Sequence, residues 1–436
     1  MKPEIIIIVY FIFILLIGVY SAFKVKTPTD YYVAGKKAGI IPVSGSLLAT
    51  ILGGSAILGT IELSHNIGWA AIWFLLCAAF GLLILIPISK YVKRFGNYTL
   101  PELLGSFYGT KTEFVASIII PIAWLGIIAA QIIAAAKILS GLGFISYSNA
   151  AILSGAIFIV YTLLGGQLSI LKTDALQSAL IIIGLIALIF FSLQNSSFTN
   201  FEKLEASTLF NSSFSLFDLV ILILTYSVTF VVGPDIYSRL FCAKNEKTAS
   251  RSILIVALIL IPVSFGLTYL GVISQNTGII SFAQNLLPSW MYGLFIAALL
   301  SAVMSSADTT LLTSSMIFNQ LFTPNLDSKN SLKYTRWIVL FMGILSILTA
   351  LYVTSIIQSL LFALTFFSGA FVVPTLAGLL KIKVIKNRVI FAIIIGGLVA
   401  LSGKLINNFY DEFWGNIIIV SSYFFNIAIL FVQQKK

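Results

Sequence analysis

Charge is what this chain has least of: Asp, Glu, Lys and Arg together make 9% of its 436 residues, where a soluble domain carries about a quarter. That shortage excludes an ordinary water-facing surface. Histidine occurs once, at His65, and cysteine twice, at Cys77 and Cys242. With a single histidine, a Ser-His-Asp triad, a zinc site of several imidazoles and a histidine proton relay are not expected. The two cysteines, one inside an apolar run and one beside basic residues, imply no disulfide or metal framework. A Walker A sequence is missing as well, because "GKL" at 403–405 has no Ser or Thr after Lys404. ATP-driven work by this chain is therefore unsupported. No nucleophile–base pair stands out, so an enzyme is not expected.

What is abundant is apolar length. Hydrophobic residues make 59% of the chain and the mean hydropathy is +1.05. Runs of about 20 apolar residues, enough to cross a hydrocarbon core of roughly 30 Å, recur throughout. They do not alternate polar with apolar, which excludes a transmembrane β-barrel. The expected class is all-α and polytopic, with thirteen spans at 3–23, 40–66, 69–91, 113–139, 147–164, 170–193, 215–238, 249–274, 289–318, 333–354, 356–380, 387–405 and 412–433.

The formal charge of +11 could point to nucleic acid, but its placement is topological. With the N-terminus outside, all but four of the 26 basic residues fall in cytoplasmic connections or the C-terminal tail; the four are Lys2, Lys137, Lys203 and Lys404. Arg239 is counted among the cytoplasmic ones. This obeys the positive-inside rule and predicts an N-out, C-in protein of the cell membrane. Partners are then a lipid bilayer and small solutes, with no nucleic acid and no obligate protein partner evident. The first run is too long, and its basic cluster too late, for a cleaved signal peptide. The polar connection 194–214 reads as an outer loop, with glycosylation sequons at Asn195 and Asn211. "NYTLPELLGSFYG" (97–109) reads as a short helix along the membrane, begun by Thr99 before Pro101.

Two spans read as broken helices, at Gly53-Gly54 and at Gly233-Pro234. Proline removes an amide donor and disfavours helix at the residue before it. Lipid tolerates broken backbone only where it is buried or lines a cavity. The breaks lie five spans apart on helices of opposite direction, the spacing of an inverted-repeat transporter with a solute site at mid-membrane.

The segment "FIAALLSAVMSSADTTLLTSS" (295–315) is apolar yet carries a polar stripe. At about 100° per residue Ala302, Ser305, Ser306 and Thr309 share one face, flanked by Ser301 and Asp308. Hydroxyls beside a carboxylate suit a hard alkali cation such as Na+ and not a transition metal. A carboxylate in mid-bilayer marks by default an ion or solute path. Asp174, Gln177 and Ser178 form a second face at i, i+3 and i+4, either a helix-start acid or a cation ligand and gate.

These residues resemble the sodium/solute symporter family. "GGQLSILKTDALQ" (165–177) is similar to its signature, "YYVAGKKAGIIPVSGSLLATILGGSAILGT" (31–60) to its first core helix, "SAVMSSADTTLLTSS" (301–315) to its eighth, and "GPDIYSRLFCAKNEKTA" (233–249) to the region after its sixth. The resemblance implies a LeuT-like 5+5 inverted repeat, with a leading helix at 3–23, half-repeats at 40–193 and 215–380, and trailing helices at 387–433. It further implies a sodium site made by the carbonyls of Ala49, Leu52 and Ala302 with the hydroxyls of Ser305 and Ser306. A second cation site or gate would use Asp174, Ser305, Asp308 and Thr309. Solute contacts are expected at Thr50, Gly54, Ser55, Trp73, Gln131, Tyr226, Thr229, Thr365 and Ser368. The first and eighth core helices are nearest to the choline-type branch, although Ile51 stands where that branch has a tryptophan. The implied function is sodium-coupled symport of a small polar organic solute with no cofactor beyond the coupling ion. A proton-coupled symporter, suggested by Asp174 and Asp308, and a passive channel are the alternatives.

Overall fold

A backbone in lipid must satisfy its own amides and carbonyls, and this chain does so by helix. The computed structural model describes residues 3–95, 98–143, 145–194, 204–274, 277–328 and 330–431. Asn97, Asn195, Lys2, Lys203, Lys329, Lys435 and Lys436 lie outside them. In chain order the helices are α1 (Pro3–Ala22), α2 (Pro28–Val33), α3 (Ile40–Ile51), α4 (Gly54–Ile67), α5 (Ile72–Phe95), α6 (Leu100–Tyr108), α7 (Thr110–Gly141), α8 (Tyr147–Gln194) and α9 (Leu216–Leu222). There follow α10 (Val228–Val232), α11 (Pro234–Cys242), α12 (Glu246–Ile273), α13 (Ile279–Leu286), α14 (Ser289–Asn319), α15 (Ser331–Tyr352), α16 (Ile356–Leu379), α17 (Val389–Phe409) and α18 (Glu412–Phe431).

Among the described residues, 11 helical runs are long and apolar enough to cross a membrane. Two of these exceed a single crossing: Gly54–Arg94 has 41 residues and Tyr147–Gln194 has 48. A straight helix of the latter length would reach about 72 Å at 1.5 Å per residue, over twice the hydrocarbon thickness. It is not straight. Gly166 turns it at φ 55° and ψ −169°, and a Cβ there would lie 2.4 Å from the Tyr31 ring. Only glycine meets both demands.

The breaks at Gly53 and Gly233 are present. Helix α3 stops at Ile51, Leu52 leaves helical geometry (φ −80°, ψ 39°), and Gly53 is extended before α4 begins. Gly233 is likewise extended (φ −66°, ψ 131°), with Pro234 opening α11. A widened π turn over Ile223–Ser227 precedes the second break. The short helix α6 starts as expected, its Thr99 hydroxyl accepting from the Glu102 amide at 3.2 Å.

Lipid tails are as apolar as leucine, so close packing through small residues holds the helices together. Gly45 on α3 meets Ala175 on α8, Gly184 on α8 meets Ala298 on α14, and Gly369 on α16 meets Gly396 on α17. Enclosure grades from edge to centre: the apolar window of α1 is 17% buried and that of α14 is 83% buried. Helix α14 is thus the hub, and α3, α7 and α8 pack around it. The segment before α3 is tied to the end of α11 by Ala38 N–H to Cys242 O and Lys244 N–H to Ala38 O, both 3.0 Å.

Candidate functional site

The polar stripe of α14 faces the break between α3 and α4, not the lipid. Ser306 donates to the Thr50 carbonyl at 2.7 Å and lies 3.5 Å from that of Ala49. A Cβ on Gly53 would come within 2.1 Å of Ser306 Oγ, so glycine lets the broken backbone reach α14. Ser305 Oγ is buried and makes no hydrogen bond, with the Asp174 carboxylate within its reach. Ala49 and Leu52 at the end of α3 and Ala302 on α14 are buried as well. The last carbonyls of a helix have no i+4 amide and carry its negative dipole end. Ending α3 here therefore aims electron-rich carbonyl oxygens at the Ser306 hydroxyl.

Next to it lies a buried ion pair. Arg239 Nη2 and Asp174 Oδ2 are 3.4 Å apart, and their side chains are 0% and 1% exposed. Arg239 Nε donates to Ser46 Oγ at 3.1 Å and Nη1 to Ser238 Oγ at 3.0 Å. Nη2 also contacts Thr309 Oγ1, and Ser46 donates to Asp174 Oδ2. The other carboxylate oxygen, Asp174 Oδ1, has no partner. This corrects the assignment of Arg239 to a cytoplasmic connection. Helix α11 continues past it to Cys242, which carries the guanidinium into the core against α3, α8 and α14. Thr309 is engaged by Arg239. Asp308 makes no hydrogen bond to this group but lies near enough to feel the charges of Asp174 and Arg239, and it accepts from Thr162 at 3.3 Å.

A cavity of about 80 Å³ opens between the two breaks. Its wall brings together Thr50, Ser55, Gln131, Tyr226 and Thr229 from the expected solute contacts. Gln131 fixes the start of α4: its Nε2 donates to Ser55 Oγ at 2.6 Å and its Oε1 accepts from the Ser55 amide at 3.3 Å. Tyr226 stacks on Phe74 at 4.2 Å and meets Phe230 edge-on at 5.0 Å. Four expected contacts stand outside the wall. Trp73 donates to the Leu209 carbonyl at 3.1 Å and packs on Phe210. Thr365 lines a separate cavity with Lys404. Ser368 bonds back to the Thr365 carbonyl at 2.9 Å. The α-carbon of Gly54 packs against Val303.

The wall also holds Trp124, Phe230 and Asp235, which were not singled out from the sequence. Trp124 Nε1 donates to Asp235 Oδ2 at 2.7 Å, and Asp235 Oδ1 has no partner. A carboxylate beside Gly233-Pro234 was visible in the motif; its direction was not.

At the face richer in lysine and arginine, Tyr98 donates to Asp327 Oδ1 at 2.7 Å and Thr29 donates to the same oxygen at 3.3 Å. Burial pushes the Tyr98 hydroxyl up to about 12, so it keeps its proton and acts as donor. Tyr32 bonds Ser331 and Thr335 at 2.6 and 2.8 Å. The segment before α3 is thereby clasped to the connection between α14 and α15. Elsewhere the Asn211 amide is engaged, donating to the Ile67 carbonyl at 2.9 Å.

The model of the sodium:solute symporter family matches residues 31–396. A sodium/proline symporter of Haemophilus influenzae is 26% identical over 92% of this chain and 88% of its own length. Sodium/glucose cotransporter 4 of Danio rerio is 25% identical over 78% of this chain and 61% of its own. Among solved structures, a sodium-coupled sialic acid symporter superposes with a TM-score of 0.74 at 18% identity, covering 98% of this chain and 97% of that one.

Proposed function

Because this chain belongs to the sodium:solute symporter family, we propose that it couples sodium entry to uptake of a small polar organic solute by alternating access. The observation that carries this is Ser306 bonded to the Thr50 carbonyl at 2.7 Å, beside a Ser305 hydroxyl that makes no bond. One cation held there would bridge α3 and α14, using the carbonyls of Ala49, Leu52 and Ala302 with both hydroxyls. Bridging favours the conformer in which the two helices meet, and so organises the adjoining cavity for solute. By linkage the solute must raise sodium affinity equally.

The solute would sit against Thr50, Ser55, Gln131, Tyr226 and Thr229. The space between them is about 80 Å³ in this conformer. A second cation could use the unpartnered Asp174 Oδ1 and Ser305, while Arg239 holds Oδ2 and Thr309. Alternating access would involve thirteen crossings, N-out and C-in, with 40–193 and 215–380 as the half-repeats. The clasp of Tyr98, Thr29 and Asp327 would then close the cytoplasmic side.

Counterflow in proteoliposomes tests the reading. Labelled solute should accumulate only when sodium is present. Uptake unchanged on replacing sodium by potassium, at a fixed proton gradient, would defeat it.

A further inference from the structure

We propose that the transported solute carries a positively charged nitrogen and that Asp235 is its counter-charge; this rests on the symport reading above. Three observations converge. The first is charge balance. Asp174, Asp308 and Asp235 lie in or against the core around α14; among the described residues Arg239 is the one fully buried base, and the part-buried Lys404 of α17 lines a separate cavity with Glu412. Arg239 is paired with Asp174, and its other bonds go to Ser46, Ser238 and Thr309. It makes no hydrogen bond to Asp235, one helical turn away, and acts on it only through space. With one sodium ion bound and no second cation at Asp174 and Ser305, a carboxylate is left without a counter-charge, and an uncompensated charge in the bilayer core is costly.

The second is position. Asp235 lines the central cavity with one oxygen held by Trp124 at 2.7 Å and the other, near the Thr313 hydroxyl, making no hydrogen bond. The Trp124 bond fixes the carboxylate and leaves acceptor capacity, since an ionised carboxylate has about four lone-pair sites. An acid in the first turn of α11 also complements that helix's dipole, but the dipole alone does not require it to face a cavity. The third is the wall itself. Trp124, Tyr226 and Phe230 surround the same space, and aromatic faces attract a cationic nitrogen while resisting an anion. Some of the wall's hydroxyl capacity is already committed, since Thr229 donates to the Tyr226 carbonyl at 2.6 Å and Ser55 accepts from Gln131.

The test uses purified full-length protein and thermal shift in sodium or potassium chloride, with matched probes: piperidine against tetrahydropyran, and L-alanine against L-lactate. Each pair differs in whether a charged nitrogen is present. In sodium, at least one nitrogen-bearing probe should stabilise the wild type at a tenfold or more lower concentration than its partner. Asp235→Asn should erase that preference, and Asp235→Glu should retain it. The proposal is overturned if no nitrogen-bearing probe stabilises the wild type in sodium, if the neutral partners do equally well, or if Asp235→Asn keeps the preference. The shift produced by sodium alone is read in every variant. Its presence in Asp235→Asn shows that the variant is folded, and should that variant fail to fold, the probe pairs on wild type and Asp235→Glu still decide. Absence of the sodium shift in the wild type defeats the symport reading itself, a result distinct from sodium binding without amine preference.

Discussion

Ser305 and Ser306 differ in what removing their hydroxyls would disturb. Ser306→Ala deletes the bond to Thr50 and should lower stability by about 0.5–1.5 kcal/mol even without sodium. Ser305→Ala deletes no hydrogen bond and should leave the sodium-free melting point nearly unchanged. Both should raise the half-saturating sodium concentration tenfold or more, read by titrating the thermal shift. The ion pair makes a separate prediction. Arg239→Gln strands a buried carboxylate and should cost about 3–5 kcal/mol. Adding Asp174→Asn removes the stranded charge and should restore part of that loss, a coupling measured by a double-mutant cycle in denaturant. The serine stripe was legible because helical periodicity alone puts Ser305, Ser306 and Thr309 on one face. Arg239 and Asp235 were not. A basic residue near the end of an apolar run reads as a topological charge, and only the rotation of α11 against α3 and α14 decides whether it meets lipid headgroups or Asp174. The same limit applies to Trp73, whose indole turns toward the Leu209 carbonyl.

Helix breaks are set more locally, and there the sequence is more informative. Gly233-Pro234 carries its own cause, since proline constrains both residues. Gly53 is required by contact: with Ser306 Oγ 2.1 Å from a virtual Cβ, Gly53→Ala must push α14 away from the end of α3. Overpacking of this kind costs about 1–3 kcal/mol. Sodium-driven uptake by Gly53→Ala vesicles should therefore fall severalfold or more at equal protein content, and undiminished uptake would contradict the close approach. The turn at Gly166 lies between two expected spans, yet that glycine was not singled out, because nothing local distinguishes it from other membrane glycines. Its cause is remote: Tyr31, 135 positions earlier by chain number, fills the space a side chain would need. The π turn at Ile223–Ser227 likewise has no sequence cue.

At the scale of the whole molecule, topology can be read directly, because both native cysteines are buried and free. A cysteine at Tyr410, 87% exposed between α17 and α18, should react with a membrane-impermeant maleimide added to intact cells. A cysteine at Lys383, in the connection before α17, should react only after permeabilisation. The reverse pattern would invert the proposed orientation. The class of architecture was legible from apolar length, and the orientation was proposed from lysine and arginine placement. The two longest helical runs, Gly54–Arg94 and Tyr147–Gln194, were each divided in the sequence analysis, at 66–69 and at 164–170, where Gly68 and Gly166 take positive φ.

Three carboxylates set against a single fully buried guanidinium matter for the return half of the cycle. With all three ionised, the carrier going back without cargo is two elementary charges negative, so an inside-negative voltage pushes its binding groups outward. Each charge moved through the full field is worth about 2.3 kcal/mol per 100 mV. Resetting, more than loading, would then be the step that membrane potential accelerates, and a voltage jump in sodium-free medium should evoke a transient capacitive current.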